Sequence, residues 1–176
     1  TLDEARVFSS GGSIIASPVI SGDTIVVASS NGSIYSLNRT TGALNWKFET
    51  GNKIWSTPVI DGSNIYFGSL DHNFYALNLE NGKELWNFPT GAAIAAQPLV
   101  IDGNIYIGSF DGIFYSIKKN TGQEIERFEA DNWFWATPLY NKSIIYIGSF
   151  DHNLYALNQK TLTSVWPSPL ETDGQI

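Results

Sequence analysis

The sequence repeats itself every forty residues. Pro18, Pro58, Pro98 and Pro138 fall at that spacing, as do Ser29, Ser69, Ser109 and Ser149, and Tyr35, Tyr75, Tyr115 and Tyr155. Gly42, Gly82 and Gly122 keep the step until Leu162 breaks it, and Trp46, Trp86 and Trp166 keep it with Glu126 as the one miss. Registers that agree without slippage leave few architectures open. A unit of this length cannot bury its apolar surface alone, so it must stack on copies of itself in an array or a propeller.

The unit is clearest between Ile54 and Phe88. Four short runs rich in Ile, Tyr, Phe and Trp are separated by Asp61-Gly62-Ser63, Leu70-Asp71-His72-Asn73 and Asn81-Gly82. Turn residues at these intervals predict an antiparallel meander of four strands, A to D. No helical period competes with it. Segments such as IYFGS, IYIGS and TIVVAS are apolar at consecutive positions, so both faces of each sheet must be covered. Four-stranded sheets stacked face to face at this period predict an all-β fold, a β-propeller with about four blades present, as a partial arc of a ring of seven or eight.

The expected units span 14–48, 54–88, 94–128 and 134–168. Residues 1–8 align with the outer strand of a preceding blade, Arg6-Val7-Phe8 standing where Trp46-Lys47-Phe48 stand. Residues 171–176 (ETDGQI) match Glu49 to Ile54 (ETGNKI), the start of a following blade. The glycines at 42, 82 and 122 suit a C–D turn that needs positive φ, which Leu162 should strain. Asp71, Asp111 and Asp151, with Asn31 in the first unit, suit Asx-type B–C turns.

Composition narrows function mainly by exclusion. The chain has 176 residues, 43% of them apolar and 14% aromatic, and no cysteine. Disulfides, thiolate metal sites and a cysteine nucleophile are therefore ruled out. A net charge of -7 without any run of Lys or Arg argues against nucleic acid as a partner. No stretch approaches the roughly 20 apolar residues of a membrane span. The chain opens at Thr1 without a signal peptide, as a trimmed or processed chain would, and any leader would have gone with the removed segment.

The element Tyr75-Ala76-Leu77-Asn78-x-x-x-Gly82-x-x-x-Trp86, repeated as YSLNRTTGALNW, YSIKKNTGQEIE and YALNQKTLTSVW, resembles the repeat of the pyrroloquinoline-quinone (PQQ) enzyme-like propellers. Its Gly-x-x-x-Trp part is similar to that family's tryptophan-docking motif. The resemblance covers essentially the whole chain. It implies that Trp46, Trp86 and Trp166 act as wedges between blades, and that the joint after the third blade, with Glu126, is weaker or uses another aromatic. The family includes quinoprotein dehydrogenases that bind PQQ and calcium. It also includes non-enzymatic relatives, such as the lipoprotein subunit of the bacterial barrel-assembly machine and luminal stress sensors.

Of these, the non-enzymatic branch fits better. The cysteine pair of many dehydrogenases is impossible here, and no Asp-x-Asp-x-Asp-Gly cluster offers the six to eight oxygens that calcium takes. No catalytic, cofactor-binding or metal residue is expected. His72 and His152 occupy equivalent Asp-His-Asn turns two blades apart, which suits exposed turn residues better than shared metal ligands. Trp55, Trp133 and Trp135 lie at the D–A connections, on the same face as the B–C turns, with Lys53, Gln97 and Asp131 as polar neighbours. Trp55 and Trp135 are expected to fill the wall between blades, and Trp133 to stand between wall and channel mouth. Asn31, Asn38 and Asn141 head Asn-x-Ser/Thr triplets, which in so Asn-rich a chain arise by coincidence.

The sequence thus predicts a non-enzymatic recognition scaffold outside the cytoplasm, binding a protein or peptide at the propeller face. Two other readings stay open: a fragment of a PQQ- and calcium-dependent dehydrogenase, and a structural or sensor module that self-assembles. The apolar end faces of a four-blade arc also predict a homodimer, two arcs completing one ring.

Overall fold

Each unit folds into a four-stranded antiparallel sheet in which strand order follows chain order. The computed structural model describes residues 7–174. The first sheet holds β1 (Val19–Ser21), β2 (Thr24–Ala28), β3 (Ser33–Asn38) and β4 (Leu44–Glu49), and the second β5 (Val59–Asp61), β6 (Asn64–Gly68), β7 (Asn73–Asn78) and β8 (Glu84–Pro89). The third holds β9 (Leu99–Ile101), β10 (Asn104–Gly108), β11 (Ile113–Lys118) and β12 (Glu124–Glu129). The fourth holds β13 (Leu139–Asn141), β14 (Ile144–Gly148), β15 (Asn153–Asn158) and β16 (Leu170–Glu171). No helix occurs among the described residues. The four sheets are blades of a partial β-propeller.

The core lies between the blades. Along β6, Ile65 and Phe67 join Val26, Ala28 and Ile34 of the first blade, while Tyr66 turns the other way. With Phe74 and Ala76 of β7, Tyr66 packs on Ile105, Ile107 and Tyr115 of the third blade. A third core joins Tyr106 and Phe114 to Phe134, Ile145 and Ile147. Strand alternation thus feeds both faces of a central blade, which is why these segments carry consecutive apolar residues.

At the edges of these cores, indoles bridge one blade to the next. A Cβ built on Gly82 would meet the Trp46 ring at 2.6 Å, and one on Gly122 would meet Trp86 at 2.7 Å. Each glycine also needs its positive φ, 69° and 70°. The indole N–H donates across the joint, Trp46 Nε1 to the Leu79 carbonyl (2.9 Å) and Trp86 Nε1 to the Lys119 carbonyl (3.1 Å). Only a residue without a side chain leaves room for a flat ring against the turn.

The joint between the third and fourth blades reaches the same end with different parts. Glu126 replaces the indole, and Leu162 stands where the glycine would be, yet Leu162 keeps a positive φ of 49° and is 2% exposed. Its side chain joins the core shared with Tyr106 and Phe114. Tyr106 donates its hydroxyl to the Gln159 carbonyl at 2.8 Å, the position corresponding to Leu79 and Lys119. The turn is therefore kept rather than remodelled: the leucine fills the space the indole leaves, and a tyrosine supplies the cross-blade hydrogen bond.

At the ends, residues 1–6 and 175–176 of the two expected partial blades lie outside the described residues. Phe8 is described, and its ring meets Tyr35 edge-on at 5.0 Å, as Phe48 meets Tyr75 at 5.6 Å. The fourth blade's outer strand differs from the expected run ending at Ser168. It is β16, whose residues pair Leu170 with Leu154 and Glu171 with Asn153. Thr172 N bonds the His152 carbonyl as Thr50 N bonds that of Gly32, a step of 122 instead of forty times three. Two extra residues and the donor-less Pro167 and Pro169 shift the strand. Trp166 packs on Tyr146 of its own blade, ring centroids 5.9 Å apart.

Two outcomes follow for denaturant unfolding. Trp86→Ala should lower stability by about 3 kcal/mol, a loss under ~1 kcal/mol being incompatible with a wedge. Glu126→Trp alone should destabilise by overpacking against Leu162, about 1–3 kcal/mol, and adding Leu162→Gly should recover most of that loss.

Candidate functional site

Two sets of loops form one face of the arc, the B–C turns and the D–A connections. The turn aspartates tie them together. Asp71 Oδ1 accepts Asn73 N (2.9 Å), closing the Asx turn, while Oδ2 accepts Tyr75 OH (2.8 Å) and Gly51 N (2.8 Å) from the preceding D–A connection. Asp111 repeats this with Ile113 N, Tyr115 OH and Gly91 N. Asp151 does so with Asn153 N, Tyr155 OH and Asp131 N. In the first blade Asn31 substitutes, donating Nδ2 to Tyr35 OH at 2.7 Å.

A second backbone link sets the side chains of this face. Leu70 N donates to the Lys53 carbonyl, Phe110 N to that of Ala93 and Phe150 N to that of Trp133, each at 2.9 Å. Every blade thus presents a B–C residue beside a D–A residue. The third blade carries a large ring at the first of these positions, Phe110, and the fourth at both, Phe150 and Trp133.

The rings stack. Phe110 lies 4.8 Å from Trp133 at an interplanar angle of 9°, and 5.0 Å from Trp135. Phe150 lies 5.9 Å from Trp135 at 12°, and 6.2 Å from Trp133. Trp135 in turn reaches Trp55 at 6.0 Å, two blades away. Ala95 holds the same register in the intervening blade and is 6% exposed, so its small side chain leaves room for the two indoles to meet. Trp133 is 44% and Trp135 41% exposed. Trp135 is therefore part of the open face and not of the wall, and it meets Trp55 where the intervening blade offers only Ala95. Trp55 is half-buried, and its indole N–H is buried without an acceptor among the described residues.

The remaining candidates are spread along the rim. Lys53 and Asp131 are exposed in D–A connections, and His72 and His152 in B–C turns. The histidines have φ of 74° and 72°, matching Gly32 and Gly112 at the same register, and each lends its carbonyl to a following threonine. Nothing brings the two together. Phe110 and Phe150 were not singled out from the sequence, although the series Ser30, Leu70, Phe110, Phe150 carries the signal.

Comparison with known proteins places this architecture. A family model described as outer membrane protein assembly factor BamB matches residues 3–100. The chain belongs to this family. No curated protein sequence matches it. Among solved structures, BamB from Moraxella catarrhalis is similar with a TM-score of 0.82 at 20% identity, covering 96% of this chain and 53% of that one. The computationally designed Ika8 protein is similar with a TM-score of 0.80 at 14% identity, over 90% and 50% of the two chains. The quinohemoprotein alcohol dehydrogenase ADHIIG from Pseudomonas putida HK5 gives 0.80 at 17% identity, over 90% and 34%. This BamB-family arc thus spans about half of the first two structures it resembles, and the likeness to all three is one of fold.

The dehydrogenase neighbour raises the question of PQQ and calcium. Among the described residues of the BamB-family arc, no three His, Asp or Glu side chains gather as ion ligands. The rim aspartates are instead spread one per blade and engaged by Tyr hydroxyls and backbone N–H groups.

The rim has a consequence for alkaline stability. Burial, reinforced by the accepting Asp carboxylate, raises the ionisation of Tyr75, Tyr115 and Tyr155 above the usual tyrosine value. In the unfolded chain tyrosines ionise near ~10, so above that pH the folded state holds protons the unfolded state has lost. Stability should be intact below pH about 10 and fall as pH rises beyond it. Urea midpoints between pH 8 and 11, read with tyrosinate absorbance, should show this fall. Tyr75→Phe should flatten it while lowering neutral stability by about 1 kcal/mol. An alkaline slope unchanged in that variant would contradict the role given to the pair.

Proposed function

We propose that this chain is a non-enzymatic recognition scaffold that offers its stacked aromatic face to a protein or peptide partner. The observation that carries this is the exposure of Trp133 and Trp135, 44% and 41%, on rings already held in place by Phe110 and Phe150. Fixed indoles lose little entropy on binding and give concentrated contact energy. Membership of a family described as an outer membrane protein assembly factor supports a protein partner and a location outside the cytoplasm. The scaffold works without PQQ, calcium or nucleic acid.

A second reading, pairing of two copies through the ends of the arc, has its own support. Ile14 is 45% exposed although Ile54, Ile94 and Phe134 at its register are fully buried, and Leu139 and Leu170 are exposed on the last blade. Phe8 already covers Tyr35, so a ring closed by a second copy would have to displace that segment. Light scattering across a wide concentration range separates the two readings: a constant monomer mass removes pairing and leaves recognition untouched.

Random peptides displayed on phage and selected on the wild-type protein provide the test of recognition. Selected binders should weaken about tenfold or more against Trp133→Ala, the scale of one hot-spot residue. Binders indifferent to Trp133 and Trp135 would contradict it. Adding PQQ with calcium should change neither the quinone spectrum nor the melting temperature; a shift in either would favour the dehydrogenase alternative.

A further inference from the structure

We propose that the aromatic face takes a cationic segment, with arginine side chains stacked on Trp133 and Trp135. This rests on the recognition reading and names its partner's chemistry. The basis is a charge asymmetry between the two ends of the blades. Among the described residues, the B–C turns and D–A connections carry Asp71, Asp111, Asp131, Asp151 and Asp173, against Lys53 as their one Lys or Arg. The A–B and C–D turns at the other end carry Arg39, Lys83, Lys119, Lys142 and Lys160 against Asp23, Glu80 and Asp102, so the sign of the excess reverses between the two ends. The stacked rings therefore lie on the acidic face, with Asp131 two residues before Trp133.

Ring faces and carboxylates together select one kind of ligand. The π-face of an indole attracts a cation, and a planar guanidinium both stacks on it and remains charged. Asp131 is exposed and so able to meet that charge, while Asp111 and Asp151 directly follow Phe110 and Phe150 in the chain and are held by Tyr115 and Tyr155. An acidic partner would meet repulsion here. An uncharged apolar one would use the rings but leave the exposed Asp131 carboxylate unmatched. Among the described residues a cation already lies over a ring in this way, the Arg127 guanidinium 5.5 Å from the Tyr115 ring centroid.

The test is titration of the intact chain with a capped hexa-arginine peptide, followed by tryptophan fluorescence and calorimetry. Hexa-lysine, hexa-glutamate and an uncharged Phe/Pro peptide of equal length serve as comparisons. Hexa-arginine should bind, hexa-lysine more weakly and hexa-glutamate not at all. Trp133→Ala should weaken hexa-arginine about tenfold, and Asp131→Asn should weaken it several-fold. Lys53→Glu, an exposed change outside the ring stack, should tighten it, so the outcome does not depend on how Trp133→Ala folds. Hexa-arginine binding that ignores Trp133 would be diffuse attraction to an acidic protein and would overturn the proposal. Trp133-dependent binding of the Phe/Pro peptide alone would also overturn it while sparing the recognition reading. If no peptide binds, the cationic partner is overturned, and the recognition reading stands or falls on the phage selection.

Discussion

A flat ring laid against a residue with no side chain closes two of the three joints between blades over their apolar cores. Trp46 over Gly82 and Trp86 over Gly122 each combine three requirements: an indole on an outer strand, a left-handed glycine in the next blade's turn, and a free carbonyl three residues before that glycine. The forty-residue period follows from keeping these parts in step. The third joint shows that the constraint is on filled volume and a satisfied carbonyl. Lost ring and gained leucine occur together, and the Tyr106 hydroxyl donates to Gln159 where an indole would have done so. Interiors packed to near-crystalline density tolerate such exchanges only in pairs.

With the blades fixed in this way, the loop face is free to vary. Its geometry comes from backbone and aspartate links that do not depend on the residues projecting between them, so Ser30, Leu70, Phe110 and Phe150 can share one position, and Ser13, Lys53, Ala93 and Trp133 another. Large rings gather in the last two blades. Chemistry is thus carried by loops on a rigid support, and the separation of acidic and basic ends gives that face a sign as well as a shape.

Much of this was legible in the chain itself. Consecutive apolar residues required two covered faces, turn glycines marked the hairpins, and Asp71 and its counterparts announced Asx turns. What could not be read was what depends on two distant residues at once. Glu126 and Leu162 each looked like a defect, and their compensation appears only when the blades are stacked. Trp135 looked like wall material because nothing local shows that Ala95 in the next sector leaves its ring uncovered. The outer strand of the last blade starts in the expected register, where Ser164 bridges Leu157, but beyond Pro167 and Pro169 it resumes two residues late, a slip that the Trp166 register hides.

The most direct measurement compares Gly82→Ala with Gly62→Ala by equilibrium unfolding. Both glycines have positive φ, 69° and 61°, but a Cβ at Gly82 meets the Trp46 ring at 2.6 Å whereas one at Gly62 meets nothing within 4 Å. Gly62→Ala should lose only backbone strain, about 1 kcal/mol, and Gly82→Ala should lose a further ~1–3 kcal/mol from the displaced indole. Equal losses at the two sites would mean that the ring does not bear on the turn and that the blades are joined by something else.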